Sequence, residues 1–126
     1  MFFQKKKILV VDDDQGMLKI IEARLKHANF DVELAQNGEE AMDAMSKKPP
    51  KLVLLDIVMP GMDGFQVLEM MKKSRKTKSI PVIMITSKAD DQAVQRAITM
   101  GARDYIVKPF SPSVMLEKVR KEIGSR

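Results

Sequence analysis

Five side chains suited to phosphoryl chemistry stand just after, or at the close of, short apolar runs in this sequence. Asp12 and Asp13 follow Lys7 to Val11 (KILVV), and Asp56 follows Leu52 to Leu55 (LVLL). Thr86 follows Ile80 to Ile85 (IPVIMI), and Lys108 follows Tyr105 to Val107 (YIV). Three carboxylates in one crevice repel unless a cation joins them. An all-oxygen donor set suits Mg²⁺, which takes carboxylates, water and phosphate oxygens. One of the carboxylates can instead be a nucleophile, because aspartate forms aspartyl-phosphate intermediates. A hydroxyl and a lysine facing it can hold phosphoryl oxygens, the lysine as a compact charge. Phosphoryl transfer is largely positioning plus charge neutralisation, so a cation, a lysine and an in-line carboxylate are sufficient parts.

These residues need elements to bring them together. A fifth apolar run, Asp31 to Ala35 (DVELA), completes a set of short strands. Between the runs lie stretches with helical spacing: Met17, Ile20, Ile21, Leu25 and Ala28; Ala41, Met42 and Met45; Phe65, Leu68 and Met71; Ala93, Val94, Ala97 and Ile98; Val114, Met115, Val119 and Ile123. Asn37 with Glu40 reads as a capping box, Ser111-Pro112 as an N-cap before a first-turn proline, and Gly101 as a glycine closing a helix. Nearly continuous apolar strands alternating with helices predict an α/β fold, a doubly wound parallel sheet of five strands flanked by five helices. In such a sheet ligands bind outside the carboxyl ends of the strands, where strand order reverses. The five chemical side chains fall at those ends.

Length and composition agree with one domain, spanning residues 1–126 at 14.3 kDa. The chain has no cysteine, so disulfides and thiolate metal sites are excluded. No apolar run reaches the ~20 residues of a membrane span, and the start MFFQKKKILVVDDD has the wrong order for a signal peptide. A cytoplasmic, soluble protein is expected. The net charge of +5 raises a nucleic-acid reading. The basic runs Lys5 to Lys7, Lys47 to Lys51 and Lys72 to Lys78 all precede strands, however, and so sit opposite the acidic end. They read as a solvated basic floor, with no aromatic residue interleaved for stacking on bases.

The segments ILVVDDD, LVLLDIVMPGMDG, PVIMITS and GARDYIVKPF, in this order and at these separations, resemble the signature segments of bacterial response-regulator receiver domains. The resemblance runs from strand one to helix five. It implies a flavodoxin-like strand order 2-1-3-4-5 and a phosphoprotein of two-component phosphorelay signal transduction, one that acts only on its own phosphorylation and is otherwise no enzyme. By that resemblance Asp56 is the phosphorylated aspartate. Asp13 holds Mg²⁺ directly, Asp12 holds it through water, and the Val58 carbonyl is the third protein ligand. Lys108 pairs with the phosphoryl group, Thr86 moves to it, and Tyr105 turns with Thr86. The Lys108-Pro109 bond is expected to be cis. Val58 and Lys88 match positions that set the rate of hydrolysis, and their side chains predict a slow one.

The implied donor is a histidine kinase or a histidine phosphotransfer protein. The implied docking surface lies at about residues 91–122, on a monomer or a phosphorylation-dependent dimer. The alternative from another class is a receiver-shaped protein-binding module acting without phosphorylation, against which Asp12, Asp13, Asp56, Thr86 and Lys108 all speak. A flavodoxin-like cofactor binder is disfavoured because Asp12-Asp13-Asp14 would repel phosphate. Asp14 reads as a helix-opening acid and Asp63 as the cap of the third helix. Pro60, Gly61 and Gly64 read as turn residues, and His27 as a solvated histidine near a helix end. The sequence does not name the kinase, the downstream partner or the pathway.

Overall fold

Every apolar run forms a strand and every helix-periodic stretch a helix. The order is β1 (Lys7–Val11), α1 (Gln15–His27), β2 (Asp31–Ala35), α2 (Gly38–Lys47), β3 (Leu52–Asp56), α3 (Gly64–Lys73), β4 (Val82–Thr86), α4 (Asp91–Thr99), β5 (Asp104–Val107) and α5 (Pro112–Ile123). The computed structural model describes residues 4–87 and 91–124. Lys88, read above as a hydrolysis-setting position, lies outside the described residues.

All strand pairs are parallel, in the order β2-β1-β3-β4-β5. Strand alternation builds two cores. Leu9, Val11, Val53, Leu55, Val82 and Met84 pack with Met45 of α2, Leu68 and Met71 of α3 and Ala97 of α4. Ile8, Val10, Leu52, Leu54, Ile83, Ile85 and Ile106 pack with Leu18, Ile21 and Leu25 of α1 and Met115 and Val119 of α5. Both strand faces are apolar, so a one-residue slip would cost the apolar pattern little. The polar ends supply what the pattern lacks, since a slip would draw a carboxylate into a core, and burying an unpaired charge is costly. Val11 pairs with Leu55, so the chain emerges from β1 and β3 with Asp12 and Asp56 side by side.

The helix starts follow from short polar side chains. Asp14 accepts a hydrogen bond from the Met17 amide, and Ser111 from the Val114 amide with Pro112 in the first turn. Asp63 makes a full capping box with Gln66. The expected box at α2 is displaced: Asn37 accepts from the Glu40 amide, but Glu40 accepts from the amide of Gln36, one residue earlier. Gly101 closes α4 at φ 107°, a left-handed conformation glycine adopts at little cost.

The apolar stripe read from sequence is wider than the stripe the helices bury. Ile20, Ile98 and Val114 are exposed, being about 100° of helical rotation from Ile21, Ala97 and Met115. β4 begins at Val82, not Ile80, because the Ile80 amide donates to the Thr77 carbonyl and Pro81 has no amide. β5 begins one residue early, at Asp104. Among the described residues, no helix is long and apolar enough to cross a membrane.

Candidate functional site

β1 continues to β2 on one side of the sheet, and β3 lies on its other side, so strand order reverses at the carboxyl ends of β1 and β3. Asp12 leaves β1 there fully buried, and Asp56 ends β3 at 5% exposure. Lys108, one residue beyond β5, reaches across to both. Its Nζ is 2.7 Å from Asp12 Oδ2 and 3.5 Å from Asp56 Oδ2. The other oxygen of each carboxylate is held by backbone: Asp12 Oδ1 accepts from the Asp14 amide at 3.0 Å, and Asp56 Oδ1 from the Val58 amide at 3.3 Å. Asp13 is exposed beside them. Asp12, Asp13 and Asp56 each present an oxygen within 4.8 Å of the others.

Two buried carboxylates share one ammonium here. Burial, and then the charge of Asp12, raise the Asp56 carboxyl from 3.8 to about 7 against the opposing effect of Lys108. For Lys108, burial disfavours the charge, but the hydrogen bond to Asp12 and the charges of Asp56 and Asp12 outweigh it and raise its pKa. A divalent cation among the three carboxylates would offset the burial and relieve the repulsion that together hold Asp56 high. The donors are all oxygens, two of them on buried side chains and one open to solvent, and this chemistry fits Mg²⁺.

Three neighbours shape the site. Gly64, read from sequence as a turn residue, is instead the first residue of α3. A β-carbon there would lie 2.4 Å from the Asp56 carbonyl oxygen and 2.8 Å from Ile57 Cα. The Gly64 amide donates to the Ile57 carbonyl, so α3 starts pressed against the end of β3. Val58 projects outward, 69% exposed, beside Asp56. Thr86 is buried at the end of β4, and its carbonyl accepts from the Lys108 amide. Thr86 pairs with Val107 and Met84 with Tyr105, so Thr86 and Tyr105 share a sheet face two residues apart in register.

The structure thus gathers Asp12, Asp13, Asp56 and Lys108 into one cluster, and sets Thr86 at its edge. Tyr105 stands outside the cluster. Its carbonyl accepts from Lys118 Nζ at 2.9 Å, and the same ammonium lies 5.1 Å from its ring centre and 2.9 Å from Asp104 Oδ1. Lys108-Pro109 is cis, as the resemblance implied. Sequence reasoning missed Gly64, which a glycine directly after a helix cap and eight residues past Asp56 could have signalled. It also missed Lys118, whose reach depends on how α5 lies over β5, and no local spacing encodes that.

Residues 8–120 match the family profile described as the response regulator receiver domain. Among curated proteins, the probable transcriptional regulator ycf27 of Porphyridium aerugineum is 41% identical over 93% of this chain and 48% of its own length. That of Cyanophora paradoxa is 41% identical over 95% of the chain and 49% of its own. The chain thus spans about half the length of these relatives. Among solved structures, the chemotaxis protein CheY4 of Vibrio cholerae superposes with a TM-score of 0.91 at 28% identity, over 95% of this chain and 100% of that one. A response regulator of Chloroflexus aurantiacus superposes at 0.90 with 31% identity, over 94% and 97%. With its strand order, its acidic crevice at the switch point and this match, the chain belongs to the receiver-domain family of two-component response regulators.

Proposed function

We propose that residues 1–126 act as one receiver domain that takes a phosphoryl group onto Asp56 and changes a docking surface in response. The observation that carries this reading is the Asp12–Lys108–Asp56 cluster, with Nζ within 2.7 and 3.5 Å of the two carboxylates at the reversal of strand order. The donor would be a phosphohistidine of a kinase or phosphotransfer protein, or a small acyl phosphate. An Asp56 carboxylate oxygen attacks phosphorus in line. A new oxygen–phosphorus bond forms as the bond to the histidine nitrogen or acyl oxygen breaks, and the leaving group takes the electron pair.

Asp12, Asp13, Asp56 and the Val58 carbonyl are the residues that would hold Mg²⁺. Bound there, the ion would neutralise charge on the carboxylates and on the incoming phosphoryl oxygens. Asp56 must be ionised to attack, and a carboxyl raised to about 7 by burial and by Asp12 is only partly so near neutrality. Lys108 steadies the ionised form and then offers its ammonium to a phosphoryl oxygen, giving up its bond to Asp56. Thr86, at the edge of the cluster, supplies a hydroxyl to another phosphoryl oxygen. Its displacement would open room on the face it shares with Tyr105, which then leaves the Lys118 side of β5. The docking surface would be about residues 91–122, where Ile98, Tyr105 and Val114 are exposed.

The relatives' name, transcriptional regulator, belongs to proteins about twice this length and supports a role in which this domain controls an attached or separate output. Incubation with acetyl phosphate and Mg²⁺ tests the reading. One phosphoryl mass should be gained by the wild-type chain and none by Asp56→Asn, and equal labelling of the two would overturn it.

A further inference from the structure

At the opposite pole from the acidic crevice, the lysines read from sequence as a basic floor line a recess of about 590 Å³. Lys5, Lys6, Lys7, Lys48 and Lys51 face it, against the single carboxylate of Asp31. Two of these cations already have partners. Lys6 Nζ donates to the Ile123 carbonyl at the end of α5. Lys7 Nζ donates to Glu33 at 2.9 Å and to the Lys48 carbonyl at 2.8 Å. Such bonds are what helix C-termini ask of lysines. Lys5, Lys48 and Lys51 have no ion pair or side-chain hydrogen bond among the described residues, and all three are exposed. The helix ends therefore account for two of the five cations and leave three.

The backbone carrying these cations is braced. The Lys51 amide donates to the Lys7 carbonyl at 2.8 Å, and the Asp31 amide to the Lys6 carbonyl at 3.0 Å. Between Lys48 and Lys51 stand Pro49 and Pro50, whose rings fix φ. Three chain segments are thus tied together before any ligand arrives, which lowers the ordering cost of binding one. The volume falls within the range of small-molecule sites, roughly 300–1,000 Å³.

We propose that this recess is a binding site for a compact polyphosphate anion, either a free inorganic chain or the triphosphate of a nucleotide. Lys5, Lys48 and Lys51 contact its oxygens, and Lys6 and Lys7 add to the field. A chain of several phosphates matches in charge three lysines lining one recess, and ammonium groups bind phosphate as point charges. The site is separated from Asp56 by the length of β1, so the two can be tested independently.

Sodium tripolyphosphate and ATP, each titrated calorimetrically into the whole chain at low salt in EDTA, read the site without cation-dependent binding at the acidic pole. Saturable one-to-one binding is expected, with amide NMR shifts at Lys5 to Lys7, Asp31, Lys48 and Lys51. Lys48→Glu with Lys51→Glu should weaken it by about tenfold or more, the loss expected for charge-assisted hydrogen bonds. Lys5→Ala with Lys51→Ala serves as the milder pair, and both should leave the unfolding midpoint and acetyl-phosphate labelling near wild type. Equal affinities for the two ligands mean the phosphate chain alone is read, and tighter ATP means the nucleoside is read as well. Either outcome supports the site. No saturation by millimolar ligand, shifts centred on Asp12 and Lys108, unaltered binding by both pairs of substitutions, or tighter binding of short duplex DNA through the same lysines would each overturn it.

Discussion

Replacing Lys108 by methionine keeps most of the side chain's bulk and removes a cation shared by two buried carboxylates. Asp12 Oδ2 at 2.7 Å and Asp56 Oδ2 at 3.5 Å would each lose an attraction of about 5–6 kcal/mol at an effective dielectric constant near 20. The net cost is smaller, because the ammonium no longer needs desolvating and Asp56 can take up a proton. Breaking a buried pair by deleting one partner typically costs about 3–5 kcal/mol, and proton uptake places this site at about 3. With unfolding entropy near 2.1 cal/mol/K per residue, about 3 kcal/mol lowers the melting temperature of a chain this long by about 11 °C.

The pH dependence follows from the direction of the Asp56 shift. A carboxyl whose folded pKa is raised loses stability as pH climbs from its unfolded value to its folded one, here from 3.8 to about 7. Without Lys108, which lowers the Asp56 pKa, that loss continues past pH 7. The gap between variant and wild type should therefore be smaller near pH 5, where the lost contact to Asp12 remains, and full near pH 8. Mg²⁺ should narrow it, since a cation now meets no competing ammonium. Thermal unfolding followed by circular dichroism in EDTA and in MgCl₂, at both pH values, is the assay. A Lys108→Met protein as stable as wild type in EDTA at pH 8, or with a Mg²⁺ response no larger than wild type, would refute this reasoning.

Mg²⁺ at a hundredfold excess over its dissociation constant should stabilise the wild-type chain by about 2.7 kcal/mol, or about 10 °C. Asp13→Ala should erase most of that shift, and an unchanged response would put the ion elsewhere. Gly64→Ala should destabilise the fold and slow labelling of Asp56 together, because the new β-carbon meets backbone 2.4 Å away that cannot rotate aside. Urea unfolding and a labelling time course measure the two effects, and an alanine variant indistinguishable from wild type in both would show that α3 can draw back freely. Val58 is apolar and open to solvent beside Asp56, so it offers an attacking water no hydrogen bond. Val58→Asn with Lys88→Glu should speed loss of the phosphoryl group about tenfold, or about 1.4 kcal/mol, and decay at or below the wild-type rate would count against this role.

Much of this fold was legible because each strand is a short apolar run closed by a polar residue, and each helix carries a 3.6-residue stripe. The carboxylates, Thr86 and Lys108 could be placed at one pole because parallel βα units put every strand's carboxyl end on the same side. What stayed hidden depended on distances between elements. Gly64 looks like any turn glycine until α3 is seen resting on the Asp56 carbonyl. Lys118 is one lysine among many until α5 carries it over Tyr105. The exposure of Ile20, Ile98 and Val114 was illegible for the same reason, since periodicity marks an apolar stripe without saying how much of it a neighbour covers. Lys108's preference for Asp12 over Asp56 is likewise set by the exit of the chain from β5, to which the sequence contributes only a lysine.

The central claim is that one particular oxygen nucleophile, the carboxylate of Asp56, receives the phosphoryl group. Aspartyl phosphates are acyl phosphates and are reduced by borohydride to an alcohol, which marks the residue permanently. Peptide mapping of the wild-type chain, after acetyl phosphate, Mg²⁺ and borohydride, should find the reduced side chain at position 56 and nowhere else. Reduction at Asp12 or Asp13, or at no aspartate while the intact chain carries the phosphoryl mass, would contradict the account.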